Sequence, residues 1–228
     1  MILIFCIVLS VLYYDYLHTK KLINLIYIHI VMNLYTIKNL CTGDGAVWGL
    51  LDKKDLTNYV DITTKKLSLD LNNKKVLDLG CGDGVMLKHL HDKYSIDPHG
   101  VDLSNLNISI CKKKMPLNKN NFHCQDIIKY LESCDDDSFD FIISYGVIVY
   151  VTDENKKIII NHISRILKNN CYCWLGGNMK WALYPIKDEF WNDIDNDNLS
   201  LTHFCETEVF NNTAYKSKST IIHKINKN

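Results

Sequence analysis

From residue 74 onward the chain alternates between two kinds of hydrophobic pattern. Short runs rich in branched residues stop at glycine or a carboxylate, and longer runs repeat apolar residues every three or four positions. KKVLDLG (74–80) is of the first kind and predicts a buried strand. VMLKHLHDKY follows with apolar residues at 85, 86, 87, 90 and 94, the spacing of one helix face. HGVDLS (99–104) reads as a second strand, and SNLNISICKKKM as a helix with Ser104 as its N-cap. FHCQD (122–126) is a third strand. FDFIISYGVIVYV (139–151) is a fourth that runs on into a loop, and DENKKIIINHISRIL is a helix opened by Thr152 or Asp153. CYCWLGGN (171–178) is a fifth strand, ended by its paired glycines. LTHFCETEVFNNTAYKSKSTIIHKI (201–225) holds two more strand-like pieces around an asparagine turn. Strands alternating with helices predict an α/β class, with a doubly wound parallel sheet covered by helices on both faces.

Residues 1–40 stand apart from the domain expected over 41–228. MILIFCIVLSVLYY and LINLIYIHIVMNLY are almost wholly apolar and are separated by a mixed stretch from Asp15 to Lys21. A secretory leader would have a basic start and a small-residue cleavage site, and this segment has neither. The first run is shorter than the about 18–20 residues that span a bilayer, although Tyr16 and Leu17 extend it and Lys20 and Lys21 would flank it. Three readings stay open: a membrane anchor through residues 1–21, a packed helical hairpin, or translation starting at Met32.

Composition narrows the partners. The formal charge is zero, and of the 26 basic residues only Arg165 is an arginine. Such a chain lacks the electrostatic footprint of a duplex-binding protein, and nucleic acid is not expected as a partner. Nine cysteines form no Cys-x-x-Cys pair, so no metal is expected, and free thiols in a reducing, cytoplasmic compartment are.

The candidate chemistry gathers at VLDLGCGDG (76–84). Gly80, Gly82 and Gly84 follow the first strand, at the edge of such a sheet where ligands bind. Glycines there allow a sharp turn and close approach of a ligand to the backbone. A dinucleotide loop needs its third glycine at position 85, where Val85 stands. A triphosphate loop needs lysine and then serine or threonine, where Val85 and Met86 stand. The expected ligand therefore carries no phosphate. Asp102 ends the second strand twenty positions after Gly82, where a carboxylate accepts hydrogen bonds from both hydroxyls of a ribose. It should face the crevice and bear little on stability. Asp126, ending the third strand, is placed for the exocyclic amine of a purine, and Asp78 adds negative charge beside an amino group or a sulfonium. A ribose and a purine without phosphate describe an adenosine.

These motifs resemble those of the class I S-adenosylmethionine-dependent methyltransferases, over roughly residues 74–178. VLDLGCGDG matches that family's first motif, GVDLS its ribose-binding acidic motif, CQD its adenine motif, and FDFIISYGVIVYV the motif that floors the methyl donor. The resemblance implies a seven-stranded, mostly parallel sheet whose last strand is antiparallel. It also implies S-adenosylmethionine as co-substrate, held by Asp78, Gly80, Cys81, Gly82, Gly84, Asp102, Leu103, Asp126, Ile127 and Tyr145. The implied reaction is methyl transfer to a small-molecule or lipid-like acceptor. The alternatives are a non-catalytic donor-binding module and a nicotinamide-dependent oxidoreductase.

Departures from the family refine the acceptor. Val149-Tyr150 stands where many small-molecule enzymes carry Glu-His or His-Tyr. SYGV (144–147) replaces the Asn/Asp-Pro-Pro-Tyr/Phe tetrad of amino-methylating nucleic-acid enzymes. None of the prolines, at 98, 116 and 185, precedes a cysteine. Catalytic residues are thus open, with Tyr145 and Tyr150 as candidates and His162 read as structural. Trp48 and Tyr59 are read either as a lid over the donor or as core.

Overall fold

The computed structural model describes residues 53–179, 184–194, 198–210 and 213–225. The hydrophobic N-terminal segment, its anchor readings and Trp48 lie outside the described residues. Among the described residues no helix is long and apolar enough to cross a membrane.

The chain runs α1 (Lys53–Lys66), β1 (Lys75–Leu79), α2 (Val85–Tyr94), β2 (Asp97–Asp102), α3 (Asn105–Lys114) and β3 (Phe122–Cys124). It continues with α4 (Ile127–Glu132), β4 (Phe139–Tyr145), α5 (Asp153–Ile166), β5 (Leu167–Met179), β6 (Leu199–Phe210) and β7 (Thr213–Lys224). Short 3₁₀ turns lie at Pro116–Asn121, Ile148–Tyr150 and Asp188–Asp193. The seven strands form one sheet in the order β3-β2-β1-β4-β5-β7-β6. β1 pairs in parallel with β2 and β4, and β4 with β5, while β7 runs antiparallel to both β5 and β6. The sheet is the one expected, and the order reverses between β1 and β4.

Alternation along the strands divides the core in two. Val76, Phe141, Ile143, Trp174 and Ile221 pack with α1, α2 and α3 on one face. Leu77, Leu79, Ile142, Cys173 and Ile222 pack with α5 and Leu131 of α4 on the other. The helices follow from apolar spacing and local caps. α2 buries Met86, Leu87 and Leu90 between left-handed residues Gly84 and Ser95. Ser104 accepts from the Asn107 amide at 3.2 Å and opens α3 as expected.

Two expectations change. IIKYLE, unassigned by its pattern, forms α4 with Asp126 as N-cap, so β3 ends at Cys124 and not at Asp126. The fourth strand stops at Tyr145 and the chain runs on into a loop, as expected. Gly176 and Gly177 lie inside β5 and do not end it. Gly177 has φ 71°, and the β5–β7 register shifts between Leu175 and Asn178, so the pair makes a bulge. A Cβ on Gly176 would fall 2.5 Å from Tyr145 Cδ2 and 2.8 Å from Trp174 Cε2.

That contact carries a stability prediction. Gly176→Ala forces two packed rings apart without straining φ, and should destabilise the fold by about 1–3 kcal/mol. Chemical denaturation measures this, and an unchanged midpoint would contradict the packing described here.

Candidate functional site

The crevice lies where strand order reverses, between the carboxyl ends of β1 and β4. All three loop glycines have positive φ: Gly80 at 77°, Gly82 at 53° and Gly84 at 76°. Their reasons differ. A Cβ on Gly80 would collide with Val147 at 2.4 Å, in the loop after β4, and one on Gly84 would meet Cys111 Sγ at 2.8 Å. A Cβ on Gly82 would meet nothing within 4 Å. Gly80 and Gly84 thus let the loop pack, and Gly82 borders open space.

The loop's amides are directed inward. Those of Gly80 and Cys81 donate to the Val101 carbonyl at 2.8 and 3.0 Å, and that of Gly84 to the Cys81 carbonyl at 3.0 Å. The Gly82 amide donates to Asp102 Oδ2 at 3.0 Å. With those donors engaged, the loop is not the row of free amides that cradles a phosphate.

Asp102 is the hub of this arrangement. While Oδ2 holds the glycine loop, Oδ1 accepts from the Ser104 amide at 2.8 Å and from Asn107 Nδ2 at 3.4 Å. Contrary to the expectation that it bears little on stability, Asp102 joins the loop to the first turn of α3. Oδ2 keeps a second lone pair for a ribose hydroxyl, and a second hydroxyl reaching Oδ1 would replace the long Asn107 contact. α3 grips the loop at two further points that the sequence did not reveal. Lys114 Nζ donates to the Asp83 carbonyl at 2.8 Å and pairs with its carboxylate at 2.9 Å, and Cys111 Sγ lies 3.3 Å from the Gly82 carbonyl.

Asp78 lies at the end of β1, directly before the loop. It is 1% exposed, and neither carboxylate oxygen has a hydrogen-bond partner among the described residues. Burial, with the negative charge of Asp102 second, pushes its pKa up to about 8. An uncompensated acid this deep is costly unless it stays protonated or meets a cation.

The remaining expected residues fall into two groups. Tyr145 ends β4 beside the crevice, its ring stacked on Tyr59 of α1 at 5.7 Å and tilted against Trp174 at 5.2 Å. Tyr59 thus packs over the site's edge, which fits either of its two readings. Asp126 is exposed, and its Oδ1 accepts from the Ile128 and Lys129 amides, so only Oδ2 is left for a ligand. Leu103 is 55% exposed at the edge of β2, and Ile127 is half-buried at the start of α4. Cys81 is turned into the core, its thiol pushed up by the neighbouring Cys111 thiol and by burial, and only its backbone belongs to the loop. Burial also pushes the Tyr150 phenol up, which suits a proton donor more than a base. His162 lies nine residues into α5, about 13 Å along the helix from its start, toward the opposite edge of the sheet. It lies 3.4 Å from Arg165.

Comparison with known proteins agrees with this geometry. Residues 76–170 match the family described as "Methyltransferase domain". A stretch of 116 residues is 29% identical to phosphoethanolamine N-methyltransferase of Plasmodium falciparum, covering 49% of this chain and 40% of that protein. The chain spans less than half the length of the curated relatives it matches. Among solved structures, magnesium protoporphyrin IX methyltransferase from Synechocystis PCC 6803 with bound S-adenosylmethionine superposes with a TM-score of 0.58 at 18% identity. That likeness covers 75% of this chain and 79% of that one. Haemonchus contortus phosphoethanolamine N-methyltransferase 2, in complex with phosphomonomethylethanolamine and S-adenosylhomocysteine, gives 0.59 at 13% identity, over 74% and 53% of the two chains. Residues 76–170 thus match a methyltransferase-domain family, and the glycine loop and sheet order give them the fold of the solved methyltransferases.

Proposed function

We propose that this chain transfers a methyl group from S-adenosylmethionine to a small-molecule or lipid-like acceptor that presents its own lone pair. The observation that carries this reading is Asp78, a buried carboxylate without a partner among the described residues, beside a loop whose glycine amides are already engaged. A ligand that satisfies it must bring positive charge and no phosphate, as a sulfonium or an ammonium does. Bound there, S-adenosylmethionine supplies a methyl group already activated by its sulfonium. Asp102 accepts from the ribose hydroxyls, Gly82 admits the methionine portion against the backbone, and Tyr145 closes the floor.

The chemistry asks little more of the protein. The acceptor lone pair attacks the methyl carbon in line, the carbon–sulfur bond breaks, and its electron pair stays on sulfur. The protein supplies alignment and excludes water. Tyr145 and Tyr150 offer hydrogen bonds and no strong base, so the acceptor is an amine or carboxylate that needs none. Relatives named for phosphoethanolamine and for magnesium protoporphyrin IX support a small acceptor. Release of S-adenosylhomocysteine from labelled donor, against a panel of amines and carboxylates, tests the reading. Donor binding without turnover on any acceptor would favour the non-catalytic module.

Asp78 gives the sharpest pH dependence. Its folded pKa of about 8 exceeds the ordinary 3.8 of an aspartate, so between those values the native state holds a proton that the unfolded chain releases. Its contribution therefore falls as pH rises from about 4 to about 8. Asp78→Asn should be more stable than the parent at pH 9, with the gap closing toward pH 4, as thermal unfolding across that range would measure. Donor affinity should run oppositely. A cation favours the ionised form, so the parent should bind more tightly as pH rises toward 8, and Asp78→Asn should bind weakly with a flat profile. A flat profile for the parent would separate Asp78 from the donor.

Asp102→Ala should weaken S-adenosylhomocysteine about a hundredfold, from the loss of charge-assisted bonds worth about 3 kcal/mol. It should also lower stability by about 1–3 kcal/mol, because the Gly82 and Ser104 amides lose their acceptor. Asp102→Asn sets an NH₂ against one of those amides and should also be destabilised. Calorimetry and denaturation on the three proteins measure both effects, and unchanged stability would mean the bridge is not formed.

A further inference from the structure

The sheet face covered by α4 and α5 is not apolar throughout. A parallel sheet buried on both sides calls for branched aliphatic residues, yet this one carries His99 in β2 and His123 in β3. Alternation sets both on that face, since His99 shares it with Val101 and His123 is paired with Val101 across the ladder. Lys75, two residues before Leu77, joins them. With Tyr130, Ser138 and Phe139 they line a cavity of about 250 Å³. It lies toward the amino ends of the strands. Lys75 is five residues before Gly80, about 16 Å along a strand from the glycine loop.

Among the donors of this cavity, Ser133 Oγ and Cys134 Sγ are satisfied by the Tyr130 carbonyl, whereas Lys75 and Ser138 are not satisfied among the described residues. The Lys75 ammonium rests over the Phe139 ring, 4.8 Å from its centre, and makes no ion pair among the described residues. Asp140 accepts from the Lys75 backbone amide, but its ion pairs go to Lys74 and Lys168. Ser138 Oγ is buried without a hydrogen-bond partner among the described residues. His123 packs on Tyr130 at 5.1 Å, and Lys112 adds positive potential to it. Two carboxylates oppose this. Asp135 is exposed at the rim. Asp97 is occupied by His99 at 3.0 Å, Asn121 at 2.9 Å and Asn118 at 3.4 Å. Burial holds both histidines below their usual pKa, so each neutral ring has one N–H; that of His99 is given to Asp97, and that of His123 is left to donate. Among the described residues no group of three His, Cys, Asp or Glu side chains could hold a metal ion, and the Lys75 ammonium would repel one.

We infer that this cavity is a second binding site, separate from the donor crevice, for a small oxyanion ligand bearing a carboxylate or a phosphate. Lys75 supplies the charge, Ser138 and His123 supply hydrogen bonds, and the rings of Phe139 and Tyr130 take a flat or apolar body. Occupancy needs no contact with the glycine loop, so this proposal and the donor reading can fail separately.

Histidine Cε1–H resonances of the full chain provide the test, recorded while inorganic phosphate and benzoate are titrated in turn at constant ionic strength. One probe or the other should shift His99 and His123 together and saturably, leaving His203 unmoved. The probe that saturates identifies phosphate or carboxylate as the source of the oxyanion. Lys75→Met should raise the midpoint at least tenfold while the thermal unfolding transition remains cooperative. Should Lys75→Met fail to fold, Ser138→Ala must raise the midpoint instead. Absence of a saturable shift with both probes, or an unmoved midpoint in a folded variant, would overturn the inference.

Discussion

One carboxylate bridge organises the site. Asp102 takes the Gly82 amide on one oxygen and the Ser104 amide on the other, so the loop after β1 and the helix after β2 move as one piece. The Lys114–Asp83 pair and the Cys111 thiol against the Gly82 carbonyl reinforce the same junction. With the loop held in this way, three glycines at positive φ are tolerated and their amides are withdrawn from solvent. The arrangement leaves Asp78, just before the loop, without a partner among the described residues. A preformed loop and an uncompensated buried acid are complementary to a cationic, phosphate-free ligand, which is the physical basis of the methyl-donor reading.

Much of the fold was legible because buried strands and amphipathic helices carry distinct periods. α2 and β1 lie where their apolar spacing predicted, and the parallel order followed from their alternation. α4 was missed because six residues make fewer than two turns, with only Tyr130 and Leu131 buried, too few to show a helical period. β2 begins at Asp97-Pro98, two residues earlier than its pattern indicated. Proline usually argues against a central strand, but β3 pairs with β2 only from Gly100 onward, so Pro98 is bonded on the β1 side alone. The glycine pair in β5 was read as a terminator. A bulge and a terminator look alike until the partner strand is known.

The site was legible in its anchors and hidden in its contacts. Gly80, Gly82 and Gly84 stood out by following β1, and Asp78 and Asp102 by lying near the carboxyl ends of β1 and β2. Nothing in CKKKM distinguishes Lys114 from its neighbours, because its role depends on which lysine the third turn of α3 turns toward Asp83. Asp126 looked like a strand end and is also a helix cap, a distinction that required seeing α4. The histidines of β2 and β3 drew no notice singly. Only the ladder shows that they share a face.

The central claim is that the loop receives a phosphate-free adenosine ligand and not a dinucleotide. Equilibrium titration of the full chain with S-adenosylhomocysteine and, separately, with NADH tests it most directly. Saturation by one S-adenosylhomocysteine per chain, undisturbed by excess NADH, is the predicted result. Saturable binding of NADH with none of S-adenosylhomocysteine would contradict the account.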